Sequence, residues 1–140
     1  MLEEAYTCVL SWERQGVGYR ARLCVGEPAE ERTLSLAYEE PSSMAGITVV
    51  RESGCVRATV GGRAFEAPEA AAWLSVGLLF DLGEDVGAYR TETHEGKTVY
   101  FADAVTVTGE AVSLEVGQDG VPTRLLAKDT VVYITDWETK

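Results

Sequence analysis

Short alternating segments, each ended by a glycine turn, constrain this chain more than any other feature. From Tyr6 to Trp12 the residues Tyr6, Cys8, Leu10 and Trp12 share one side, and Thr7, Val9 and Ser11 the other. Tyr19 to Val25 repeats the pattern, with Tyr19, Ala21, Leu23 and Val25 against Arg20, Arg22 and Cys24. A two-residue turn at Gln15-Gly16 sets Trp12 against Tyr19, Leu10 against Ala21 and Cys8 against Leu23. Both apolar sets then lie on one face, and a slip of one residue would bring them to opposite faces.

The same reading continues along the chain. Thr33 to Glu39 is a strand with Leu34, Leu36 and Tyr38 on one side. Ile47 to Glu52 and Cys55 to Val60 flank a tight turn at Ser53-Gly54, which brings Ile47 and Val49 opposite Val60 and Ala58, and Gly61-Gly62 ends the second of them. Further strands are expected at Ala88 to Glu95, Thr98 to Thr108, Ala111 to Val116, Val121 to Ala127 and Val131 to Trp137. Their turns fall at Glu95-Gly96, Gly109-Glu110, Asp119-Gly120 and Lys128-Asp129. Asp119-Gly120 carries the strongest hairpin signal and pairs Val116 with Thr123 and Leu114 with Leu125. Strand-favouring residues (Val, Thr, Ile and aromatics) number 44 of 140, which supports a mainly β fold. The length fits one domain spanning residues 1–140.

One segment reads as helix, from about Pro68 to about Leu82, within the limits 66 and 83. Proline suits a first helical position and Glu69 suits the positive end of the helix dipole. Ala70 to Phe80 runs AAAWLSVGLLF, apolar nearly all round. Such a helix needs cover on more than one side. The expected class is α+β, mainly β: a long antiparallel meander with one main helix against one face.

No motif names a reaction. The single histidine, His94, sits beside a turn, and no G-x-S-x-G supplies a nucleophile elbow. An enzyme is therefore not expected, nor a cofactor. Cys8, Cys24 and Cys55 lack zinc spacing. The hairpin register sends Cys8 and Cys24 to opposite faces, so three free thiols are expected. Asp81, Glu84 and Asp85 cluster after the helix but lack a calcium-loop pattern. Gly16-Val17-Gly18 lies in a hairpin and not before a helix, so it carries no nucleotide signal. The net charge of −11 does not suit a phosphate backbone or anionic headgroups, so nucleic acid is not an expected partner. No run of 18 apolar residues is present to cross a membrane as a helix.

Pro41-Ser42-Ser43-Met44-Ala45-Gly46-Ile47-Thr48-Val49, the hairpin Gly120-Val121-Pro122-Thr123-Arg124-Leu125, and a final strand ending Thr135-Asp136-Trp137 stand in an order that resembles the LolA-like family. This family comprises the outer-membrane lipoprotein carriers and related bacterial lipoproteins. The chain is similar in particular to small Firmicutes lipoproteins with a P-x-x-L-x-G step and a G-x-P-x-x-L hairpin, with Met44 in the apolar slot and Gly46 in the glycine slot. The resemblance implies a strongly curved half-barrel whose helix closes an apolar cavity on the concave face, a cavity that holds acyl chains in the carriers. It also implies export. The expectation is an extracytoplasmic, membrane-anchored lipoprotein domain, with signal and anchor absent from this chain.

Two functions are then expected to compete. One is binding of a lipid or other apolar ligand, with Trp73, Leu74, Val76, Phe80, Leu10, Trp12, Ile47 and Val49 lining the site. The other is a structural or protein-interaction module with a filled core and an unknown protein partner. A void above about 300 Å³ under the helix favours the first, and close packing favours the second.

Overall fold

The computed structural model describes residues 4–29, 31–65 and 72–140, with the side chains of residues 65, 83–89 and 94 outside that description. Eleven strands form one antiparallel sheet: β1 Tyr6–Arg14, β2 Val17–Val25, β3 Leu34–Glu40, β4 Ile47–Glu52, β5 Cys55–Val60, β6 Arg63–Phe65, β7 Leu82–His94, β8 Lys97–Thr106, β9 Ala111–Val116, β10 Pro122–Leu126 and β11 Val131–Thr139. Their order across the sheet is β6-β5-β4-β3-β2-β1-β11-β10-β9-β8-β7. Every neighbour is the next strand in sequence except at the centre, where β1 meets β11.

The expected registers of the first two hairpins are present. Trp12 pairs with Tyr19, Leu10 with Ala21 and Cys8 with Leu23. Ile47 pairs with Val60 and Val49 with Ala58. The turns Gln15-Gly16, Ser53-Gly54 and Glu95-Gly96 each hold both central residues at positive φ, the conformation whose twist matches paired strands. Gly61-Gly62 does the same: it ends β5 at Val60, as expected, and as a hairpin turn leads into a further strand, β6.

The hairpin at Asp119-Gly120 is looser than expected. Leu114 pairs with Leu125, but Val116 pairs with Pro122 and not Thr123. The Gly117 amide donates to the Val121 carbonyl at 3.0 Å, and the Val121 amide donates to Asp119 Oδ1 at 3.0 Å. Asp119 thus builds an Asx-type turn inside a longer loop, and a register shift after Pro122 absorbs the extra residue.

The helix expectation needs the largest correction. Residues 66–71, including Pro68 and Glu69, lie outside the described residues. Within them Ala72 and Trp73 are helical, α1 spans Ser75–Leu78, and strand β7 has begun by Leu82. Its start lacks a side-chain cap. The Leu78 amide reaches back to Leu74, but the Leu79, Phe80 and Asp81 amides reach only to Val76, Gly77 and Leu78. One α-type bond is thus followed by three tighter 3₁₀-type bonds, and the coil ends. The coil thus ends at Leu78, short of the expected Leu82, and the apolar residues Leu79 and Phe80 beyond it are buried in the core. Among the described residues, no helix is long and apolar enough to cross a membrane.

The sheet is strongly curled. β4 and β8 are seven strand steps apart, about 34 Å if flat. Yet Asp81 accepts Arg51 Nη1 of β4 at 2.6 Å, while its carbonyl accepts the Val107 amide just past β8 at 2.9 Å. One residue spans both only if the sheet wraps around it. The shifts within β1–β11, β2–β3, β9–β10 and β7–β8 supply local bends of the kind that curl a sheet. The concave face holds a single apolar core drawn from both halves of the sheet.

Candidate functional site: a self-occupied apolar groove

Strand alternation builds the concave floor. Leu10 and Trp12 of β1, Leu23 of β2, Leu36 and Tyr38 of β3, and Ile47 and Val49 of β4 all point inward and are buried. Onto this floor the segment Trp73–Phe80 lays Leu74, Val76, Leu79 and Phe80, also buried. The eight residues expected to line a ligand site come together, seven in the core and Trp73 packed against it. They form a filled interior.

Two gaps flank the segment. One is a cleft of about 150 Å³ between Trp12, Tyr19, Tyr38, Met44, Trp73 and Val76. Trp12 stacks on Tyr19 at 5.5 Å and meets Tyr38 edge-on at 6.0 Å. The Tyr38 hydroxyl donates to the Trp73 carbonyl, tying the segment to β3. The second gap, about 230 Å³, lies between Arg14, Val76, Leu79 and the β10–β11 loop. Neither reaches the void set as the mark of a ligand pocket. Of the expected residues only Trp12, Trp73 and Val76 touch the aromatic cleft. Leu10, Ile47, Val49, Leu74 and Phe80 are packed away from it. Larger depressions of about 390 and 520 Å³ lie on the outer face of the sheet, lined by residues such as Val105 and Ser113, and Cys55 and Arg57. They are remote from the groove.

Sequence reasoning missed Tyr19, Tyr38 and Met44 as cleft residues. Their signal was available: Tyr38 shares the inward phase of Leu34 and Leu36, and Tyr19 lies opposite Trp12.

The far end of the groove is polar. Arg51, inward-facing on β4, pairs with Asp81 and donates through Nη2 to the Arg32 carbonyl at 2.6 Å. Asp81 is therefore a buried ion-pair partner and not a loop ligand, and Glu84 and Asp85 belong to β7. Arg51 Nε faces Glu31 at 3.5 Å but makes no hydrogen bond. Arg32 donates to the carbonyls of Gly26 and Glu4 and lies over the Tyr6 ring, 6.0 Å from its centre. Tyr6 in turn stacks on Trp137 at 4.2 Å.

Burial sets the titration of the inner groups. Burial first, and the Cys24 thiol second, push the Cys8 thiol up to about 12, and burial pushes Tyr38 up to about 12. Burial raises the Tyr6 phenol further still. Cys8 is buried, Cys24 is half-buried across from Thr7, and Cys55 is exposed; none of them is in a disulfide. His94's side chain lies outside the described residues.

Fold and groove together define a class: an open, curled antiparallel half-barrel wrapped around an apolar segment. Solved structures share it. An uncharacterised conserved protein from Thermus thermophilus superposes with a TM-score of 0.59 at 12% identity, covering 99% of this chain and 80% of that one. A LolA superfamily protein from Nitrosomonas europaea gives 0.50 at 12% identity, covering 99% and 87%. MucB gives 0.54 at 16% identity over 98% of this chain, which spans about half of MucB (54%). No protein-family model matches the sequence, and no curated protein matches it. The LolA-like resemblance read from Pro41–Val49 and Gly120–Leu125 is thus present in the fold, and nothing in these three likenesses supports the narrower resemblance to Firmicutes lipoproteins.

Proposed function

We propose that this chain is an extracytoplasmic, non-catalytic binding domain that takes an apolar chain into its concave groove by displacing the segment 72–80. The carrying observation is how weakly that segment is built. Its helical coil is interrupted at Leu74 and stops at Leu78, α1 lacks a side-chain cap and contains a glycine, and gaps lie on both flanks. The groove floor beneath it is apolar from Trp12 to Val49 and turns polar only at the Arg51–Asp81 end. Likeness of fold to a LolA superfamily protein supports the reading and its cellular setting, and a lipid tether ahead of the domain belongs to the same proposal.

The filled interior favours a second reading, in which Leu74, Val76 and Phe80 are permanent core and the partner is a protein. One experiment separates the two. A fluorescent fatty-acid analogue should bind the folded protein at micromolar levels with Trp73 emission quenched. Val76→Asp should then abolish binding while the protein stays folded. No binding by the wild type, together with an unfolded Val76→Asp variant, would establish the second reading.

A further inference from the structure

Three donors at the polar end of the groove are buried and lack an acceptor among the described residues: the Tyr6 hydroxyl, the Trp137 indole N–H and Arg51 Nε. Native interiors satisfy most such groups, so three at one end of one groove call for an explanation. They are linked. Tyr6 stacks on Trp137, Arg32 covers the Tyr6 ring, and Arg51 holds the Arg32 carbonyl. The Trp137 indole N–H and Arg51 Nε can only donate, and the Tyr6 hydroxyl can donate as well as accept, so an oxygen acceptor is the partner that suits all three. Burial keeps the Tyr6 phenol protonated, and so a donor, throughout the physiological range. Asp81 and Glu31 already balance the Arg51 charge, so the deficit is in hydrogen bonding rather than in net charge.

Resting on the apolar-ligand reading above, we infer that the Tyr6–Trp137–Arg51 end of the groove receives the acyl oxygens of the ligand, once movement of the segment beside Asp81 opens it. The groove therefore selects acyl chains by their head. An acid or ester oxygen accepts from Tyr6 and Trp137, whereas an ammonium head, a donor only, can reach the Tyr6 oxygen but leaves the Trp137 indole N–H unpaired. This selectivity opposes the protein's overall charge. At a net charge of −11 a cationic amphiphile is attracted and palmitate repelled, so preference for the acid has to come from the local donors.

The test is displacement of a neutral fluorescent acyl ester by palmitate, methyl palmitate and hexadecylamine, at physiological salt and below micelle concentrations. Palmitate and methyl palmitate should bind at least about tenfold more tightly than hexadecylamine, the factor one good hydrogen bond supplies. Tyr6→Phe should weaken palmitate and methyl palmitate at least about threefold. The same variant should melt no lower than wild type, because it removes an unsatisfied hydroxyl and keeps the ring stacked on Trp137. Trp137→Phe provides the selective check: it should weaken palmitate and methyl palmitate and leave hexadecylamine unchanged. Equal binding of palmitate and hexadecylamine, or a Tyr6→Phe variant that binds all three as the wild type does, overturns this inference while leaving the apolar-ligand reading intact. Failure of all three to bind the folded protein overturns both.

Discussion

Gly77 sits in α1 directly over β2, and replacing it by alanine tests how that packing works. A Cβ at this position meets Leu74 Cδ1 at 3.4 Å and Leu23 Cδ1 at 3.6 Å, ordinary contact rather than overlap. Its backbone is not in the left-handed region, so alanine adds no strain there. The expected effect is stabilisation by about 0.5–1 kcal/mol, from the unfolded-chain entropy that glycine alone carries and from helix propensity. For a chain of this length that raises Tm by about 2–3 °C. Calorimetry and urea unfolding measure it. Gly77→Leu is the contrasting variant: its longer side chain has to enter the space of Leu23 and Leu74, with a loss of about 1–3 kcal/mol. The proposed opening adds a functional readout. Stabilising the closed segment by about 0.5–1 kcal/mol should weaken acyl-chain binding about two- to fivefold, because the binding-competent state becomes rarer by that factor. A Gly77→Ala variant that loses more than about 1 kcal/mol would refute the reasoning, showing that the segment approaches β2 too closely for any side chain.

Other outcomes follow from the same geometry. Arg51→Met should cost about 3–5 kcal/mol in urea unfolding by leaving Asp81 buried and unpaired, and adding Asp81→Leu should recover much of it; equal stability of Arg51→Met and wild type would show the pair to be solvated. Alkaline pH should destabilise the fold. The native state holds Cys8 and Tyr38 protons that the unfolded chain releases from 9.0 and 10.0, so this stability is complete below about pH 9 and is lost as pH rises towards about 12. Cys8 alone accounts for about 2 kcal/mol at about pH 10.5 on this basis, and Cys8→Ala should flatten the slope between pH 9 and 10. Thiol titration without reductant should find Cys55 reacting first in native protein and three groups after unfolding; a total of one would mean that Cys8 and Cys24 are bridged.

Hairpins were legible in the sequence because each carries its own evidence. Alternation fixes the buried face, and Gln15-Gly16 or Ser53-Gly54 fixes the register to the residue. The loop at Asp119 was misjudged by one residue because a side-chain hydrogen bond, invisible to a dipeptide rule, reshaped the turn. The helix was overextended at its far end because an unbroken apolar run reports burial and not conformation; the coil stops at Leu78 and the next turn already tightens towards β7. The burial of Leu10, Trp12, Ile47 and Val49 was legible because strand alternation reports burial, and that of Leu74, Val76 and Phe80 because they stand in the apolar run. The ring of Tyr19, Tyr38 and Met44 and the pairing of Arg51 with Asp81 join elements distant in sequence, and no local pattern encodes which of them meet after the sheet curls.

The sheet order also has a kinetic consequence. β1 through β6 and β7 through β11 are two runs in which each strand pairs with the next, so every contact within a run closes a short loop and is quick to form. A single pairing joins the runs, Tyr6 to Thr139 through Ser11 to Tyr133, and it spans nearly the whole sequence. During synthesis the first run is complete long before β11 exists to receive it. Until then the inner edge of β1, with Thr7 and Val9 that are buried in the finished fold, stands open to any other extended chain. Assembly of this protein is therefore limited by its last strand, and a lesion in β11 would slow folding and invite mispairing far more than an equal loss of stability in β5.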